Sequence, residues 1–256
     1  MPDRKPRVGF EVLCELVFRP AAHVVARALL PLRVPPPAVV LAGAATGIAA
    51  AVEVGRGAYV AAALLLQLKT VLDNADGQLA RLTGRTSAFG RYLDSELDLL
   101  VNAALFAALG WATGRPAAAL AGFLALTAVL SVNFNAERLG RGELDAVPAA
   151  MPDGGGRPTA LLRAVYGLVY APQDRLVEAY AERRLRGRAP AERLAWHDAA
   201  SVTALANLGM STQLAALGVC LVAGQPLAFA WLALAELAFV VMLALRRESR
   251  LRAVLP

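Results

Sequence analysis

Between residues 38 and 245 the sequence is cut into apolar blocks by short punctuation at Gly55-Arg56-Gly57, Gly114-Arg115-Pro116 and Gly224-Gln225. Each block is roughly 20 residues long, the length a helix needs to cross a hydrocarbon core. Lipid offers no water to satisfy exposed backbone groups, so such blocks fold as helices. The composition agrees: 57% of residues are hydrophobic and 18% charged, whereas soluble domains carry about 25% charged residues. The blocks predict an all-α, polytopic membrane protein with six transmembrane helices. These fall at about 38–54, from 59 into an acidic stretch reaching 81, 90–113, 117–137, 201–223 and 226–245.

The remaining segments are more polar. Phe10, Leu13, Leu16 and Val17 precede a mixture of apolar residues with Arg19, His23, Arg27 and Arg33, a pattern that suits an N-terminal helix lying in the interface. His23 belongs to its polar side, and Pro35-Pro36-Pro37 ends it. Residues 138–200 read as a cytoplasmic helical insertion, a linker that opens with a Gly/Pro/Asp-rich hinge at 148–158. Two short amphipathic patterns follow, one on either side of Pro172, each too short to span. The chain thus divides into 1–37 (interfacial helix), 38–137 (four spans and an acidic motif), 138–200 (linker) and 201–256 (two spans and a basic tail).

The net charge of +6 does not indicate nucleic acid, because the arginines flank apolar blocks as residues facing anionic headgroups do. Six spans put 23 of the 26 basic residues on one side and two, Arg56 and Arg115, on the other, with Lys69 inside a span. That bias predicts a cell (inner) membrane protein whose termini, linker and acidic stretch face the cytoplasm. Cys14 and Cys220 have neither disulfide nor zinc spacing and read as packing residues.

The acidic stretch, Asp73 to Asp98, carries the chemistry. Asp73 and Asp76 are three residues apart, Asp94 and Asp98 four, so on helices each pair shares a face. Four carboxylates at membrane depth repel one another unless cations sit between them. Oxygen donors without His or Cys suit Mg²⁺, Mn²⁺ or Ca²⁺ rather than zinc. Two ions held this way commonly clamp a diphosphate during in-line displacement. Arg81, one turn beyond Gly77, is placed to meet a phosphate oxygen, and the glycines let a nucleotide lie against backbone. The plainer reading is charge pairing, Asp73 with Lys69 one turn away and Asp98 with an arginine of another helix.

These residues follow the pattern D-x-x-D-G-x-x-A-R, eight residues, G-x-x-x-D-x-x-x-D: Asp73, Asp76, Gly77, Ala80, Arg81, Gly90, Asp94 and Asp98. The pattern resembles, without departure, the signature of the CDP-alcohol phosphatidyltransferase family. The likeness extends to the proline-marked entry into the first span and the six-span plan, and it is weakest over 138–198. The resemblance implies an enzyme that displaces CMP from a CDP-linked lipid, CDP-diacylglycerol, with a small alcohol acceptor. It implies Mg²⁺ or Mn²⁺, two ions, bound by Asp73, Asp76, Asp94 and Asp98, with Asp98 also the catalytic base. Gly77, Ala80, Arg81 and Gly90, together with Asp76, would line the nucleotide and diphosphate site. A homodimer is a further expectation from the family.

Other polar residues carry two readings each. Lys69 orients Asp73 or touches phosphate, or else balances charge. Arg138 and Arg141 receive a phosphorylated acceptor or anchor the fourth span. Glu96 reads as a helix contact, Asn102, Asn133 and Asn135 as site hydrogen bonds or interhelical glue, and His197-Asp198 as a helix start, with Arg193 undecided. Two other functions use the same residues: transfer of a phosphoalcohol from a CDP-linked small alcohol to diacylglycerol, and binding or transport of divalent cations.

Overall fold

The computed structural model describes residues 9–145 and 156–253, and side chains within them except at 141–145, 190, 194 and 250–253. Every regular element among the described residues is a helix. A π-helical turn, Cys14–Phe18, leads into α1 (Arg19–Leu29), followed by α2 (Pro36–Gly55), α3 (Tyr59–Leu82), α4 (Ala88–Thr113) and α5 (Pro116–Asp145). After the undescribed 146–155 come α6 (Arg157–Leu185), α7 (Pro190–Trp196), α8 (Ala199–Ala206), α9 (Met210–Val222) and α10 (Ala228–Ala253).

The boundaries follow local chemistry. Pro35 is extended and Pro36 begins α2, where a missing N–H costs nothing. Ser87 caps α4, its hydroxyl accepting the Gly90 N–H at 3.1 Å. The same helix ends on Gly114 at φ +65°, a left-handed conformation suited to glycine. Asp198 caps α8 by accepting the Ser201 N–H at 3.1 Å, so the His197-Asp198 pair is a helix start.

Four helices are long and apolar enough to cross a membrane: Pro36–Gly55, Ala88–Thr113, Pro116–Gly140 and Ala228–Ser249. The count rises to five if α8 and α9, bent by 47°, form one span. Helix α3 falls outside that set although it has 24 residues, because Lys69, Asp73 and Asp76 interrupt its apolar run. It packs on α1, α2 and α9 and exposes Val60, Leu64 and Leu68 on its remaining face. The core joins Leu66 of α3 to Val101, Leu105 and Leu109 of α4 and to Leu214, Leu217 and Leu221 of α9. Phe106, Phe123 and Phe229 stack where α4, α5 and α10 meet. Small residues set the approach of these helices, as expected where lipid removes the hydrophobic drive for association. A Cβ on Gly122 of α5 would lie 2.7 Å from the Ala230 backbone and 2.9 Å from the Phe106 ring.

Two segments differ from the sequence expectation. The pattern around Pro172 is not two short helices but one, Arg157–Leu185, with Pro172 inside it. The lost backbone bond is tolerated because side chains pin the helix on both sides of the proline: Tyr170 donates to the Ser95 carbonyl, and Asp174 accepts from Asn135. The expected span 201–223 is broken at 207–209 into α8 and α9. Asn207 turns its amide on the Thr203 carbonyl, competing with the helical ladder, and Gly209 is extended. Irregular backbone at membrane depth survives only where protein satisfies it, and here it does. The Gln213 side chain donates to the Leu208 carbonyl at 3.3 Å. The segment before α1 is held to the break through the Asn207 side chain: the Phe10 carbonyl accepts from Asn207 Nδ2 at 2.7 Å, and the Val12 N–H donates to Asn207 Oδ1 at 3.0 Å.

Replacing Gly122 by valine is expected to push α5 off α10 and destabilise the protein by about 1–3 kcal/mol, the usual cost of overpacking. Thermal unfolding in detergent measures this, and an unchanged midpoint would show that the interface yields without cost.

Candidate active site

The aspartates sit on α3 and α4, two helices that both pack against α2. Helix α3 continues unbroken through the acidic stretch, because no residue from Lys69 to Arg81 is a strong breaker apart from Gly77, and its two faces are both occupied. On one face Thr70, Asn74 and Gln78 recur every four residues; Thr70 bonds back to the Leu66 carbonyl of its own helix, while Asn74 accepts from Cys14 Sγ at 3.3 Å and Gln78 Nε2 donates to the Arg19 carbonyl at 3.1 Å. His23 pairs with Gln78 at 3.3 Å. This face ties the N-terminal helix to α3 and leaves Asp73, Asp76, Gly77 and Ala80 to the other side.

There, one carboxylate oxygen each from Asp73, Asp94 and Asp98 lies within 4.8 Å of the other two. The four aspartates predicted to act together are therefore brought together as three, with Asp76 outside that group. Asp76 is 7% exposed, and its Oδ2 is buried with no hydrogen-bond partner. Such an orphaned acceptor is costly, and it fits a donor set awaiting a cation. Lys69, only 1% exposed, reaches into the cluster and binds both helices: its ammonium pairs with Asp73 Oδ2 and donates to Asp98 Oδ1 at 2.7 Å. The plainer expectation, charge pairing, thus holds for Asp73, and the partner of Asp98 is this same lysine rather than an arginine. The other oxygen, Asp73 Oδ1, lies toward Gly43 of α2, where a Cβ would come within 2.8 Å of it. One turn on, a Cβ on Gly47 would meet Val101 and the Lys69 stem. Neither glycine was singled out from the sequence; the signal available was their four-residue spacing, which puts them on one face of α2.

The remaining motif residues line the continuation of this face. The Arg81 guanidinium folds back over Gly77, with Nη1 3.3 Å from where a Cβ would stand. Gly90 lies in the first turn of α4 beside Ser87. Asn102, buried, contacts Met210 Sδ at 3.8 Å. Arg138 is turned to α6, held by Glu178 and by Asn135 Oδ1 at 2.9 Å. Asn135 is interhelical glue, donating to Asp174 of α6 at 2.6 Å. Arg141 lies on α5 among the residues whose side chains are not described.

Chemically, this is a compact set of hard oxygen donors from two membrane helices, with a buried cation and a guanidinium beside it. Oxygen-only donors suit magnesium or manganese, and the unpartnered Asp76 oxygen together with the clearance at Gly43 fits a bound ion. A bundle of apolar helices carrying this constellation at its edge defines a membrane enzyme class, and the comparisons identify it. The chain belongs to the CDP-alcohol phosphatidyltransferase family, whose profile matches residues 33–243. Among curated relatives, an archaetidylinositol phosphate synthase of Aeropyrum pernix is 33% identical over 122 residues, 48% of this chain and 61% of the relative. A bifunctional IPC transferase and DIPP synthase of Thermococcus kodakarensis is 41% identical over 78 residues, 30% of this chain and 18% of the relative. The chain therefore spans less than two thirds of the length of either. No solved structure matches.

Lys69→Met is expected to leave Asp73 and Asp98 facing each other without a counter-charge. In EDTA-treated protein this should cost about 3–5 kcal/mol, the usual penalty for breaking a buried pair, and added magnesium should recover part of it. Unfolding temperatures with and without the ion measure the effect; an unchanged temperature in EDTA would mean the lysine does not join α3 to α4.

Proposed function

We propose that this protein is a metal-dependent CDP-alcohol phosphatidyltransferase that moves a phosphatidyl group from CDP-diacylglycerol to a small polar alcohol and releases CMP. The observation that carries the reading is the convergence of Asp73, Asp94 and Asp98 within 4.8 Å from two helices, inside a motif matched at every position. In the step proposed, the acceptor oxygen forms a bond to the lipid-side phosphorus, the bond from that phosphorus to the bridging oxygen breaks, and CMP leaves with the electron pair. Asp98 takes the proton of the attacking hydroxyl. Asp73, Asp76 and Asp94, with Asp98, hold two divalent ions, Mg²⁺ or Mn²⁺; when bound, the ions neutralise charge on the diphosphate. Arg81 binds a phosphate oxygen, and Gly77, Ala80 and Gly90 let the nucleotide approach the helices. Lys69 orients Asp73 and Asp98.

The wider expectations belong to the same proposal. Helix α3 serves as a sixth span, its charged half sheltered by its neighbours, and α8 with α9 as one broken span. The positive-inside bias then puts the termini and the site on the cytoplasmic face of the cell membrane, where soluble CMP departs. The protein works as a homodimer, by the family's analogy. The Aeropyrum relative is named for archaetidylinositol phosphate, which makes a phosphorylated alcohol, inositol phosphate, the first acceptor to test; Arg138, expected to receive it, would have to leave Glu178 to do so.

Purified protein in lipid vesicles with magnesium and CDP-diacylglycerol labelled in cytidine is expected to release CMP only when acceptor is added. CMP release from a CDP-linked small alcohol and diacylglycerol would support the reversed transfer instead, and cation flux without CMP would support a transporter. Asp98→Asn is expected to lower turnover by about 100-fold or more, the contribution of a positioned base, while labelled CDP-diacylglycerol still binds. Full activity in that variant removes the base assignment. Asp73→Asn should raise the magnesium concentration needed for half-maximal activity; an unchanged requirement removes it from the ligand set.

A further inference from the structure

Helix α6 has two faces of opposite character. Its inner face carries Tyr166, Tyr170, Asp174 and Glu178 at four-residue spacing, and each one engages the bundle. Tyr166 meets Tyr92 of α4 edge to face with ring centres 5.5 Å apart and donates to Asp174 at 2.6 Å. Tyr170 donates to the Ser95 carbonyl of α4 at 3.2 Å, between Asp94 and Asp98 in sequence. Asp174 accepts from Asn135 of α5, and Glu178 pairs with Arg138 of the same helix. Near its end, Tyr180 donates to Glu248 of α10 at 2.6 Å, and Arg184 pairs with the same carboxylate at 2.8 Å. One helix thus straps α4, α5 and α10 together at the end of the bundle that bears the aspartates.

The outer face is apolar. Leu161, Val165, Leu168 and Leu176 recur at intervals of four, three and eight residues, which is a single stripe on a helix. Three of them are 68%, 79% and 73% exposed, namely Leu161, Leu168 and Leu176. Arg157, Arg175 and Arg183 fall on the same side and bracket the stripe, and all three are exposed. The docking is against the flank of the bundle rather than its tip. Ser131, which contacts Asp174 at 3.5 Å, lies nine residues before the span's end at Gly140, or about 13 Å along the axis at 1.5 Å per residue. A helix laid against the flank of membrane-spanning helices turns its far side to the surroundings those helices meet.

We propose that α6 is an interfacial strap: its leucine stripe seats in the acyl boundary of the leaflet on the aspartate side, and its arginines bind anionic headgroups there. Apolar residues flanked by arginine on one face, with the opposite face committed to protein, are what such a surface takes. The strap keeps the α4 turn that carries Asp94 and Asp98 against the level at which a lipid headgroup would reach it. The placement stands independently of the reaction proposed above.

Nitroxide labels at Leu161→Cys, Leu168→Cys and Leu176→Cys test it, each in the full chain with Cys14→Ser and Cys220→Ala. The protein is placed in vesicles of phosphatidylglycerol and phosphatidylcholine. The label at 168 is expected to collide several-fold more often with molecular oxygen than with a water-soluble nickel chelate, and those at 161 and 176 to follow it. Preference for the chelate would put the stripe in water and overturn the proposal. Exclusion of both would mean a protein surface, such as a second copy of the chain, covers it, and would overturn it equally. Replacing Arg157, Arg175 and Arg183 by glutamine should lower the oxygen preference at 168; no change would remove the headgroup contacts from the proposal.

Discussion

A single buried ammonium holds the centre of this molecule. Lys69 joins Asp73 on its own helix to Asp98 on the next, so the two helices that supply the acidic motif are fixed in register by charge. Direct packing does little to set that register, because α3 and α4 each pack on α2 rather than on one another. A buried pair is a poor source of stability but a good source of specificity. Around it the bundle is cut to fit: Gly43 and Gly47 bring α2 down onto the lysine stem and the Asp73 carboxylate, and Val101 closes the far side.

The polar residues outside this centre do a different job. Asn74 and Gln78 hold the N-terminal helix to α3, while Asn135, Asp174 and Tyr170 hold α6 to α4 and α5. In a membrane, hydrogen bonds between helices replace part of the hydrophobic drive that lipid cancels. Helix α3 is the clearest beneficiary. Its charged half is packed by α1, α2 and α9, while its apolar half exposes Val60, Leu64 and Leu68.

Much of this was legible in the sequence, and for physical reasons. Apolar block length gave the helices because lipid permits little else, and the three- and four-residue aspartate spacing gave the shared face because helical geometry is fixed. The proline at 172 misled, since local propensity argues for a break and the tertiary anchors at Tyr170 and Asp174 override it. The break at Asn207 was invisible for a different reason: a lone glycine such as Gly209 is tolerated inside many helices, and the residues that hold the Asn207 side chain, Phe10 and Val12, are almost two hundred positions away. Pairing of Lys69 with Asp73 follows from a four-residue interval on one helix. Its second partner, Asp98, depends on how two helices are placed against each other, which no local pattern encodes.

The kink between α8 and α9 has a practical corollary for anyone handling the protein. The Asn207 side chain at the kink is held by the backbone of Phe10 and Val12, and the Thr212 hydroxyl reaches Glu11 at 3.4 Å. Residues 10–12 act as a wedge in the broken helix. Trimming the chain to begin at α1, or fusing a bulky tag directly against Gly9, would unseat that wedge and loosen the far half of the bundle while leaving every motif residue in place.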